Sequence, residues 1–284
     1  MNNVLEKLDS YSELPAYPVL LAKLDQMLRD PNSSIKMFAD LLRTDAALVG
    51  RLLRIANSVW FSAGRSEVFS LNDAIGRLGI VQLRRVVYGS YLSSQFANNG
   101  VVNHTEFWRH SLSVAILAQR LALLRHDLKA LNPDQVYIGG LFHDIGIIIF
   151  AIIELKKYRA IVGNAATQDL SLDELELKEF GVSHADIGAE FIMRHWGVNS
   201  DIGMAVKYHH NPFEAPIESR PIAIAIHLSN SFCNNEGISN GVSIPHSIFL
   251  EGAWEYLGLT LEDALVIYED VKDSVAESEL MIAN

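Results

Sequence analysis

Ten histidines are spread along this chain of 284 residues, and their placement raises the question of chemistry. Residues 137–150 form an apolar and glycine-rich run broken only by His143 and Asp144. A carboxylate left unpaired in such surroundings costs several kcal/mol, so Asp144 needs a cation or strong hydrogen-bond donors. On a helical wheel His110 lies one turn from Phe107 and Val114, on the face that continues to Leu117. His143 stacks with Gly139 and Ile147, and Asp144 with Gly140 and Ile148, where the glycines let a second helix approach closely. His184 opens a helix whose face runs on through Ile187 and Phe191, while His209 follows Ile202 and Val206 with His210 beside it.

One such histidine reads as a core residue hydrogen-bonded in place. Five or six of them on separate helices, with one inward carboxylate, make a nitrogen-rich donor set. Such a set suits a divalent transition metal (Fe, Mn, Zn, Co or Ni) rather than Mg or Ca. His143 and Asp144 can fill neighbouring positions on one ion, or Asp144 can bridge two, so the centre is mononuclear or dinuclear. Paired ions would activate a water for attack on a phosphoester. His104, His126, His195 and His246 fall at helix ends or in loops and are assigned no chemistry.

The elements that must position these residues read as helices throughout, with no sustained strand alternation, so the chain is expected to be all-α. A first helix carries Val19, Leu20, Leu24, Met27 and Leu28 on one face and stops before Pro31. Ser34 caps a second, Thr44 or Asp45 opens a third, and Ser70 with Asp73 has capping-box spacing, followed by punctuation at Gly79. Residues 98–100 (Asn98, Asn99, Gly100) mark a seam. Beyond it a long helix spans about 105–126, and Asn132 with Pro133 at the first position opens the helix bearing His143. Further helices start at Ser183 and run over about 201–210 and 221–234. A loop at 234–241 precedes acidic terminal helices.

With 49% hydrophobic and 20% charged residues the chain can bury a sizeable core. Its longest uninterrupted apolar runs, such as 147–153, are far shorter than the roughly 20 residues a membrane helix needs, so no membrane span is expected. The first residues lack the basic and apolar regions of a signal peptide. The lone Cys233 cannot form an internal disulfide, which points to a reducing cytoplasm. A net charge of −11 argues against non-specific binding to nucleic acid or an anionic membrane. The charge is uneven: residues 36–91 carry +4 and residues 248–284 carry −8. The acidic tail is either a set of solvated helix faces or docks on the basic half or on a partner. Residues 38–54, with Arg51 and Arg54 on the second helix, also have a helix-turn-helix cadence, which keeps a DNA-binding regulator as a third reading.

The order His110, His143, Asp144, His184, His209, His210 resembles the HD superfamily of metal-dependent phosphohydrolases. Within it the chain is most similar to the HDOD group, the HD-related output domains of bacterial signalling proteins. The resemblance is carried by residues 14–18, 41–48, 53–58, 74–79, 107–110, 140–146 and 184–189. It implies an HD-like helical bundle with an additional N-terminal helical half. The HDOD domain would span 14–234, divided into halves at 14–98 and 101–234, with acidic helices at 242–284 packed on it or appended. It further implies that His110, His143 and Asp144 are first-site metal ligands, that His184, His209 and His210 extend the site, and that Glu106 matches an extra acidic ligand of related phosphodiesterases. Asp144 would be the catalytic carboxylate.

The family pattern is broken in three places. Asn230 stands where the superfamily's last Asp ligand belongs, Ile147 replaces a phosphate-contacting Lys, and a Gly-Tyr-Pro segment is absent. His227, one turn before Asn230, is a candidate substitute for the missing Asp, as ligand or supporting group. The expected function is therefore a signal-transduction output module that binds a signalling protein or a small nucleotide-like effector around a retained metal site. The alternative is a phosphohydrolase acting on a nucleotide or cyclic dinucleotide.

Overall fold

In a computed structural model, every regular element among the described residues is helical, as the periodicity predicts. The structure describes residues 4–11, 14–96, 100–125, 127–165, 170–242 and 249–282, with the backbone alone for Gln95, Asn164 and 273–282. His126 and His246 lie outside them. The chain divides into two units, one formed by Met1–Leu14 with Asn98–Lys272 and the other by Pro15–Ala97 with Asp273–Asn284. The seam expected at 98–100 adjoins that division, although Asn98 and Asn99 are outside the described residues.

The unit around Pro15–Ala97 holds α2 (Val19–Arg29), α3 (Ile35–Leu42), α4 (Ala46–Ala56), the short α5 (Val59–Ser62) and α6 (Leu71–Gln95); α1 (Val4–Ser10) belongs to the other unit. Its starts are the ones the caps predict. Ser34 accepts from the Met37 amide, Asp45 from Leu48 and Ser70 from Asp73. Each satisfies a donor that a helix N-terminus leaves open. Gly79 takes φ +76° inside α6, a kink that only glycine adopts without strain. Tyr17 and Tyr88 share Asp25 (2.9 and 2.5 Å), which pins the entry to α2 onto α6.

The larger unit contains α7 (His104–Leu124), α8 (Pro133–Phe142), α9 (Ile145–Ile153), α10 (Leu155–Ala165), α11 (Leu172–Phe180), α12 (His184–Arg194), α13 (Ser200–Lys207), α14 (Arg220–Asn235) and α15 (Ala253–Leu257). The division also falls within the last helix, α16 (Leu261–Ile282), after Lys272. Asn132 caps α8, with Pro133 at its start, and Ser183 with Asp186 closes a capping box on α12. Helix α7 packs on α8 and α14, and α12 on α9 and α13. These contacts depend on missing side chains. A Cβ on Gly140 would lie 2.8 Å from Ala115 Cα, and one on Gly146 would overlap the His184 carbonyl.

Two sequence expectations need correction. The helix expected to carry both His143 and Asp144 ends at Phe142, and a new one begins at Ile145, with Asp144 at φ −101°, ψ 6°. Likewise the helix expected to reach His210 ends at Lys207, which leaves His209 and His210 in the turn that follows. The reason is the same for both. Adjacent residues on a continuous helix point about 100° apart, and breaking the helix lets both members of a pair face one centre.

The hydropathy reading is also revised. Pro133–Ile153, taken together, spans 21 residues, and an 18-residue window within it has a mean hydropathy of 2.1, the length and composition of a membrane-crossing segment. That window is 94% buried inside the protein, and the segment is interrupted at His143–Asp144, so it belongs to the core of the larger unit.

Candidate metal centre

The centre is assembled from separate elements of the larger unit. His110 comes from the middle of α7, His143 and Asp144 from the α8–α9 break, His184 from the first position of α12, and His209 and His210 from the turn after α13. Their ring nitrogens and carboxylate oxygens form two groups, His110/His143/Asp144 and His184/His209/His210, each with its ligand atoms within 4.8 Å of one another. Asp144 stands between the groups. Its Oδ2 lies 3.2 Å from His143 Nε2 and 3.7 Å from His110 Nε2. Its Oδ1 lies 3.5 Å from His184 Nε2 and 3.7 Å from His209 Nε2. One carboxylate thus presents an oxygen to each group.

Which nitrogen faces inward is set by outer partners. His110 Nδ1 donates to the Ile238 carbonyl (2.7 Å), His143 Nδ1 to Gly140 (2.8 Å) and His209 Nδ1 to Val206 (2.7 Å). In the neutral imidazole these bonds leave Nε2 as a bare acceptor aimed at the centre. His110 Nε2 and His143 Nε2 then face each other at 3.3 Å, beside the Asp144 oxygen. Three acceptors converging in this way repel unless a cation lies among them. His209 Nε2, fully buried, has no hydrogen-bond partner among the described residues. The donor set and its orphaned nitrogen fit a divalent transition ion.

The electrostatics agree with ligand duty. Burial pushes the His110 imidazole down to about 4, aided by the neighbouring His143. Burial and His184 do the same to His210, also to about 4, and burial with His210 depresses His209 strongly. Asp144 is buried, which favours its neutral acid, yet His143, His184 and His110 outweigh that and hold it ionised well below the usual carboxylate range. His184 differs. Burial opposes its charge, but Glu176 and Asp144 raise it to about 9.

Three supporting residues were not anticipated from the sequence. Glu176 on α11 is fully buried, and its Oε2 accepts from both the His184 amide (2.6 Å) and His184 Nδ1 (2.7 Å). Tyr158 donates to its Oε1 (2.6 Å). Asn240 donates from Nδ2 to Asp144 Oδ2 (2.6 Å). Glu176 had a detectable signal: Leu172, Leu175 and Glu176 follow i, i+3, i+4 spacing, which puts a carboxylate on a buried stripe.

Of the remaining candidates, His227 and Glu106 belong to neither group, while Asn230 neighbours His110. His227 donates from Nδ1 to the His209 carbonyl (2.9 Å) and accepts the Leu250 amide at Nε2 (3.3 Å), so both nitrogens are engaged and it supports the turn carrying His209. Asn230 accepts from Asn234 (2.9 Å), and its proximity works to raise the His110 pKa against burial. Glu106 sits half-buried in the first turn of α7 beside Gly241, in neither group.

An all-helical chain with this histidine–aspartate cage falls in the HD-superfamily-like class of helical bundles. The HDOD domain family matches residues 14–212, and the chain belongs to that family. It is similar to an HDOD domain protein of unknown function from Geobacter sulfurreducens, at 26% identity and a TM-score of 0.79, covering 98% of this chain and 96% of that one. It shares its fold with a candidate phosphohydrolase from Shewanella amazonensis SB2B at 23% identity and a TM-score of 0.74, with 99% and 98% of the two chains covered. An uncharacterized protein of Treponema pallidum (strain Nichols) is 24% identical over 222 residues; the match takes in 78% of this chain and 42% of that protein's length.

Proposed function

We propose that this chain is an output or regulatory module of bacterial signal transduction that keeps an HD-like metal site for structure or sensing. It acts by binding a partner protein or a small nucleotide-like effector in the cytoplasm, where its buried, single Cys233 stays reduced. The observation that carries this reading is closure of the centre. His110, His143 and His209 are 0% exposed, Asp144 2% and His184 3%, and among the six ligand candidates His210 alone is partly exposed. Closed coordination is the mark of structural metal sites, whereas catalytic sites keep a position open to substrate. Asn230 at the place of the superfamily's last Asp, and Ile147 at that of its phosphate-contacting Lys, point the same way.

These six residues would hold one or two divalent ions, which would supply positive charge opposite Asp144 and lower the pKa of any water bound there. The chain's own residues fix the tautomers and exclude solvent. The sharing of Asp144 between two groups favours one second reading, a phosphohydrolase acting on a nucleotide or cyclic dinucleotide. Elemental analysis of the purified chain, joined to a phosphoester screen with added Mn, Fe, Ni or Co, separates the two. Expected are bound transition metal, lost in His143→Ala and Asp144→Ala, and no turnover above chelated controls. Robust metal-dependent hydrolysis abolished in those variants would overturn the signalling reading in favour of the enzyme.

A further inference from the structure

We propose that Asn240 is the positioning residue that divides the Asp144 carboxylate between the two histidine groups, and that bound metal latches the strap to which it belongs. The strap, residues 237–242, leaves α14 through Gly237 at φ +76° and turns again at Gly241, at φ +77°. Both turns are left-handed, a conformation that glycine reaches without penalty. Between them the strap turns two groups toward two members of one ligand group: the Ile238 carbonyl accepts His110 Nδ1–H at 2.7 Å, and Asn240 Nδ2 donates to Asp144 Oδ2 at 2.6 Å. Asn240 is 3% exposed, and its own Oδ1 accepts the Val242 amide at 3.1 Å. A flipped amide would set oxygen against oxygen, so its orientation is fixed.

The residue type matters. A carboxylate free to rotate could turn both oxygens toward one group. One amide donor on Oδ2 restrains that rotation, so that Oδ2 stays with His110 and His143 and Oδ1 with His184 and His209, the residues that would hold an ion. An amide does this without cancelling the charge of Asp144, as a lysine would, and without repelling it, as a second carboxylate would. Outer groups of this kind typically govern metal affinity by 10–100-fold.

This inference rests on the reading that His110, His143 and Asp144 hold a divalent ion. The test titrates zinc into the chelator-stripped full chain and its Asn240→Ala variant against a competing chelator, with helicity by circular dichroism as the folding control. Amide hydrogen exchange of residues 237–242 in the unmutated chain, with and without zinc, is the second measurement. Expected are a 10–100-fold weaker zinc affinity in Asn240→Ala at unchanged helicity, and at least tenfold slower strap exchange when zinc is bound. Unmutated chain that takes up zinc while Asn240→Ala binds equally well, or strap exchange indifferent to zinc, overturns this inference alone. Unmutated chain that takes up no metal overturns both it and the reading beneath it.

Discussion

Glu176 shows how much of the centre depends on a residue that no ion would touch. It is fully buried and accepts three hydrogen bonds, from the His184 amide, His184 Nδ1 and the Tyr158 hydroxyl. A carboxylate there orients the His184 ring and raises the basicity of Nε2, as acidic partners of metal-bound histidines generally do. Glu176→Gln presents an amide N–H to at least one of these donors, and so weakens metal binding by about 10–100-fold. Zinc titration against a chelator measures this. Tyr158→Phe removes one donor and leaves the His184 bonds in place, so its effect is confined to stability, at about 1.5–3 kcal/mol for a bond to a carboxylate. A Glu176→Gln protein that binds zinc as tightly as the unmutated chain would assign Glu176 to core packing alone.

Helix placement is decided by backbone contacts as much as by apolar stripes. Gly146 and Gly188 bring α9 against α12 so closely that a Cβ at Gly146 would overlap the His184 carbonyl and lie 2.9 Å from the Gly188 amide. Backbone atoms cannot swing aside like a side chain, so Gly146→Ala must drive α12 away and displace His184. Overpacking of this kind costs about 1–3 kcal/mol, and here it also loosens metal binding. Gly163 on α10 has nothing within 4 Å of its would-be Cβ. Gly163→Ala is therefore expected to stabilise by about 0.5–1 kcal/mol through helix propensity. Urea unfolding of the two variants, run side by side, checks both signs. The same elements show what could be read beforehand. His110 was legible because it lies within a long regular helix, where the wheel holds, and the caps at Ser34, Asn132 and Ser183 were legible because they are local. The breaks after Phe142 and Lys207 were not, since the pull that ends those helices comes from partners far away in sequence. Asn240 was hidden for the opposite reason: a polar residue before Gly241 has the look of an ordinary turn.

At the scale of the molecule, the centre joins segments from His110 to His210, all of them inside the larger unit. An ion held there closes long loops that the unfolded chain leaves open, and the unfolded chain cannot preform the site. Its binding energy is therefore folding energy, expressed in that unit. At a free-ion concentration about 100 times the dissociation constant the gain is about 2.7 kcal/mol. At roughly 2–4 °C per kcal/mol for a domain of this size, that is about 5–10 °C in melting temperature. Zinc or manganese is expected to raise the transition of the larger unit by that amount, and chelator to reverse it. The effect should be local: amides of α7, α9 and α12 gain protection from hydrogen exchange with the ion, while those of α2, α3 and α4, in the unit around Pro15–Ala97, keep their rates. His143→Ala should erase the metal response and leave the exchange of α2–α4 as it was. Equal protection across both units would mean that the ion acts on the whole chain and not through this cage. A melting point indifferent to metal and chelator alike would mean that the converging acceptors are satisfied by protons instead.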